Sequence, residues 1–69
     1  MSYIIQVNIA IASHLSDAQE LLARGLTSQA NREINYAKAM LFKHPDTTKE
    51  VSEEELNDIC RQVNERFKA

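Results

Sequence analysis

His14 and Asp17 stand three residues apart, a spacing that places both on one helix face, where imidazole and carboxylate could pass a proton between them. A hydrogen-bonded surface histidine is the plainer expectation for this pair. His44 directly precedes Pro45 and is expected to help end a helix. Cys60 falls on an apolar stripe, where a free thiol behaves as a small hydrophobe; a nucleophile would want an exposed, electropositive setting. Arg32, Tyr36 and Lys38, with Lys43, could form a small anion-binding face of the kind that sequesters a small ligand or nucleotide, although a solvated helix surface accounts for them equally well. Asp46, Glu50, Glu53, Glu54, Glu55 and Asp58 crowd one region but lack the alternating ligands and glycine of a calcium loop. There is no glycine-rich phosphate loop, nucleophile elbow or paired-carboxylate motif, and the cysteine and histidines lack metal-ligand spacing. No catalytic residue, metal or cofactor is therefore expected, and the chain reads as non-enzymatic.

What would position such residues is small. The 69 residues make one domain, residues 1–69, which buries only about 60% of the surface its unfolded chain exposes. A single cysteine allows no internal disulfide, so oligomerisation is the usual remaining route to stability. One glycine and one proline argue against a turn-rich β protein. A net charge of −2 disfavours a nucleic-acid partner, which a concentrated basic patch would announce. No apolar run is long enough for a bilayer, no signal-peptide pattern opens the chain, and a free cysteine suits a reducing cytoplasm.

The punctuation divides the chain into three helices, near residues 3–24, 28–43 and 52–67. In the last, Ser52 and Glu55 form a capping box, and Val51 with Leu56 a hydrophobic staple. Leu56, Ile59, Cys60, Val63 and Phe67 make its apolar stripe. The middle helix, capped by Thr27 or Ser28, carries Ala30, Ile34, Ala37 and Leu41 in a line and stops at Pro45. Gly25 suits the left-handed residue that ends a helix, with Leu26 folding back toward Leu21. So short a connection makes the first two helices an antiparallel αα-hairpin.

The start of the chain is ambiguous. Residues 1 to 16 carry no charge, and Ile5, Val7, Ile9 and Ile11 alternate with Gln6, Asn8, Ala10 and Ala12 as a strand would. Ser16 with Gln19 would then cap a helix starting later. Yet Ile4, Val7, Ile11, Leu15, Ala18 and Leu22 also keep to one helix face, and a lone strand has no ladder to join. Packing favours the continuous helix. Either way the stretch carries more apolar surface than its own chain covers, which marks Ile4, Ile5, Ile9 and Ile11 as self-association residues.

Two likenesses accompany these readings. Ala18, Leu21, Gly25, Ala30, Ile34 and Ala37 resemble one tetratricopeptide-type hairpin, with Phe42 where that family's terminal proline stands; the likeness implies hairpin geometry and protein binding. Under the strand reading, "YIIQVNIA" followed by two helices resembles the ribbon-helix-helix repressors. That likeness implies a dimeric ribbon in which Gln6 and Asn8 read bases, although the ribbon lacks basic residues and a third helix is extra. The sequence as a whole points to an all-α, three-helix domain. It is expected to be a homo-oligomer, most simply a dimer, that binds a larger protein as an adaptor or inhibitor.

Overall fold

The computed structural model describes residues 3–66. In chain order it contains β1 (Ile4–Gln6), α1 (Val7–Ala23), α2 (Thr27–Lys43), β2 (Glu50–Ser52) and α3 (Glu53–Arg66). The fold is mainly helical, an α1–α2 hairpin with α3 packed on α2, and α3 makes almost no contact with α1. Phe67, the last residue of the expected third helix, lies outside the described residues.

The hairpin turn follows from Gly25, the one residue at positive φ, 78°, among the described residues. With Gly25 left-handed, its N–H donates to the Leu22 carbonyl at 3.0 Å and the Leu26 N–H reaches the Leu21 carbonyl at 2.9 Å. These bonds satisfy carbonyls that the helix end would otherwise leave open. The chain enters α2 at once, so Thr27 is already helical and neither it nor Ser28 caps; Leu26 holds the cap position without a side-chain bond. Ala10 and Ala18 of α1 and Ala30 and Ala37 of α2 are buried, and such small side chains let the two helices approach closely.

The expected helix over residues 3–24 starts only at Val7. Residues 4–6 are a strand because the chain does supply a ladder: Ile4, Ile5 and Gln6 pair antiparallel with Ser52, Val51 and Glu50. Ser16 accordingly lies inside α1 and caps nothing. The first N–H groups of α1 lack a side-chain cap and donate to the loop instead, Val7 to the Lys49 carbonyl at 2.9 Å and Asn8 to the Thr47 carbonyl at 2.8 Å. Glu53, at the start of α3, donates to the Tyr3 carbonyl at 3.0 Å. The starts of α1 and α3 thus satisfy their open donors on each other's flanking chain. Ser52 caps α3 as expected, its Oγ accepting the Glu55 N–H at 3.2 Å.

Beneath this clasp lies the core. Val7 and Met40 are fully enclosed, with Ala10, Val51, Leu56 and Ile59 around them and Ile5, Ile11, Ala39 and Cys60 packed against the cluster. Val51 and Leu56, the expected staple, are both in it. His44 closes α2 through its N–H to the Met40 carbonyl at 2.9 Å, and its ring Nε2 bonds the Glu55 carboxylate of α3.

Candidate functional site

Three features of this frame bear on function: a polar seam, an apolar face and a groove. The seam begins at His14, whose Nδ1 lies 2.7 Å from Oε1 of Glu33 on α2. An ionised carboxylate only accepts, so the imidazole N–H donates. The expected partner, Asp17, stands beside this pair without replacing it. The ligand atoms of His14, Asp17 and Glu33 all lie within 4.8 Å of one another, one nitrogen and two carboxylate oxygens, a donor set that can hold a divalent ion. Linear spacing hides this set, because Glu33 arrives from the other arm of the hairpin. The His14 ring meets the buried Tyr36 edge-on, with centroids 5.3 Å apart. Tyr36 in turn donates its O–H to Asn64 Oδ1 of α3 at 2.7 Å.

That bond turns Tyr36 inward and breaks up the expected anion-binding face. Arg32 and Lys38, six positions apart, are rotated by about 120° on the helix, so Arg32, Tyr36 and Lys38 do not converge, whereas Lys38 and Lys43 line one groove. Cys60 is partly buried against the core; burial pushes its thiol up, and the Glu33 charge pushes it the same way, so the sulfur is held as an unreactive thiol. The dimeric ribbon is not formed either. Gln6 is half-buried opposite Glu50 of its own chain, and Asn8 lies in the first turn of α1 with its N–H bound to the loop. In-chain pairing leaves no two-chain ribbon to present these amides to a groove.

The expected self-association residues divide. Ile5 and Ile11 pack against the core, whereas Ile4 and Ile9 are 67% and 53% exposed. Ile9 stands apart, rotated about 120° from Leu15 among Ser13, Ser16 and Glu20. A denser apolar face lies elsewhere. Leu15 and Leu22 of α1 and Leu41 of α2 are 45%, 49% and 51% exposed. Leu15 and Leu22, seven residues apart, fall within about 20° of one line and about 120–140° from Ala10, which faces the α3 side of the core. Ile34 and Leu41 repeat that spacing on α2, about 140–160° from Tyr36. The four therefore share the side of the hairpin that α3 leaves open. The expected stripes were wider than one neighbouring helix can cover, so alanines fill the contact and the larger side chains flank it.

On the α3 side of α2 runs a groove of about 450 Å³. Ala39 and Phe42 of α2 and Ile59 and Val63 of α3 give it an apolar lining, and Lys38, Lys43 and Arg66 stand along it. Phe42 is 89% exposed, the most open of the large apolar side chains among the described residues. The sequence offered one clue to this groove, an aromatic residue beside a lysine just before the helix stop. Lys43 and Arg66 served equally well there as charges at helix C-termini.

The chain matches no protein-family profile, no curated protein and no solved structure.

Proposed function

We propose that the chain is a non-enzymatic interaction module that pairs with a second copy of itself and, as a dimer, engages a larger protein. One observation carries the reading: the open side of the hairpin exposes Leu15, Leu22 and Leu41, with Ile34 half-covered between the helices. Each 17-residue helix is about 25 Å long, enough for an isologous contact in which two hairpins form a four-helix arrangement. An apolar face of this kind is a common mark of an interaction site. Shortage of core favours the same answer, since among the helices α1 packs chiefly on α2. No described helix is long and apolar enough to cross a membrane. The free thiol of Cys60 goes with a reducing, cytoplasmic setting.

Light scattering after gel filtration tests the proposal. A mass of twice the chain at micromolar concentration supports it, together with a return to the single-chain mass in Leu15→Glu with the helical circular dichroism retained. A wild-type protein that elutes as a monomer at about 100 μM, a concentration corresponding to only about 5.5 kcal/mol of association, overturns it.

A further inference from the structure

The α2–α3 groove is a second binding surface, of different chemistry from the hairpin face, and we infer that it takes an acidic amphipathic helix of a protein partner. The inference rests on the reading of the chain as an interaction module and names what the module holds. Its first support is charge. The chain carries a net charge of −2, yet among the described residues no acidic side chain lines the groove, and Lys38, Lys43 and Arg66 are its charged members. Among the described residues none of the three is in an ion pair, whereas Arg24 and Arg61 are tied to Glu20 and Asp58 on their own helices. Among the same residues Arg32 and Lys49 also stand in no ion pair, away from the groove, but three unpaired cations gathered beside one groove in an acidic chain form a complementary field for carboxylates.

Shape supplies the second support. Lys38 and Lys43 are separated by about 7.5 Å along α2, at 1.5 Å per residue, and Arg66 stands on the other helix. Charges spread over both margins suit carboxylates spaced one to two turns apart on a helix better than they suit one compact anion. Between them the apolar lining from two helices has room for the anchors that an amphipathic helix presents at i, i+3 and i+4. Phe42 is the natural anchor on this side, because aromatic side chains dominate binding energy once a partner covers them. Its exposure has no counterpart in the fold's own packing: the core closes around Met40 and Val7 without it.

The experiment uses the full chain and two fluorescein-labelled synthetic helices of matched length, a Leu/Glu amphipathic peptide and its Leu/Lys counterpart, read by fluorescence anisotropy. The acidic peptide should bind with micromolar affinity, weaken as NaCl rises from about 0.05 to 0.5 M, and bind at least about tenfold more tightly than the basic one. The double variant Lys38→Glu, Lys43→Glu and, separately, Phe42→Ala should each weaken it at least about tenfold, a usual effect for a central anchor. Both variants alter exposed side chains, and unchanged circular dichroism excludes a folding defect. Equal binding of the two peptides, no binding of the acidic one, or full affinity in the double variant would overturn the inference. So would displacement of the acidic peptide by ATP or oleate at equal concentration, which would assign the groove to a small anion. The mass from light scattering is a separate reading, so failure here and failure of self-association are distinguishable.

Discussion

The open side of the hairpin and the α2–α3 groove are both apolar, both half-built from α2, and differ in what surrounds the apolar centre. On the hairpin side, leucines at heptad spacing flank buried alanines, which is what remains when small residues set the contact and larger ones overhang it. In the groove, Ala39, Phe42, Ile59 and Val63 are accompanied by Lys38, Lys43 and Arg66. The first arrangement carries little information beyond hydrophobicity and symmetry, which suffices for a copy of itself. The second adds a sign of charge, which discriminates between partners. The two faces meet along one edge of α2, where Lys38 follows Ile34 by four residues and precedes Leu41 by three, while their centres lie about 120° apart on the helix.

Met40 is enclosed in the core on which α1, α2 and α3 all pack, so Met40→Ala should damage both surfaces together. Removing this fully buried side chain is expected to cost about 2–5 kcal/mol, a large part of the stability of so small a domain, measured as a lower urea midpoint. Leu22→Glu should separate the faces. Each dimer would lose two buried leucines, so the dissociation constant by sedimentation should rise at least about a hundredfold, or about 2.7 kcal/mol, with peptide binding in the groove intact. Ile9→Ser is the matched control and should shift dimerisation by less than about 0.5 kcal/mol, as surface changes away from a contact do. An effect of Ile9 equal to that of Leu22 would move the interface to the opposite flank of α1.

A smaller effect concerns the loop that holds the start of α1. Hydrogen bonds from the Thr48 hydroxyl and N–H lower the pKa of Asp46 below the usual carboxylate value. A carboxyl depressed in the folded state contributes stability that is present above its unfolded pKa and lost as pH falls through the folded one. Thermal stability between pH 5 and pH 2 should therefore fall less in Thr48→Val than in the wild type, with the two curves offset but parallel above about pH 5. Parallel curves throughout would mean that the loop does not feel Asp46.

Local signals explain what the sequence disclosed. Gly25, Pro45 and Ser52 act on their immediate neighbours, so the hairpin turn, the end of α2 and the start of α3 could be read within a few residues. The strand pair could not, because its halves lie some 46 residues apart and Glu50-Val51-Ser52 is too short and polar to show a strand period. The His14–Glu33 bond was more accessible than it looked. In a hairpin turning at Gly25, residues equally distant on either side face each other, and His14 and Tyr36 each lie eleven positions from it. The groove was the least legible feature. It depends on which flank of α2 receives α3, and that follows from the remote strand pairing rather than from either helix.

The clasp between Tyr3–Asn8 and Thr47–Glu53 has a kinetic consequence. The hairpin is made of near-neighbour contacts and can close quickly, while the clasp must shut a loop of more than forty residues before it returns any bond. Opening should follow the reverse order, with α3 and the first residues of the chain released as one unit while α1 and α2 stay together. Amide exchange would then show Val7, Asn8 and Glu53 losing protection in step, ahead of the hairpin interior. A chain caught in that half-open state would keep the leucine face proposed for self-association and lose the groove proposed for a partner helix.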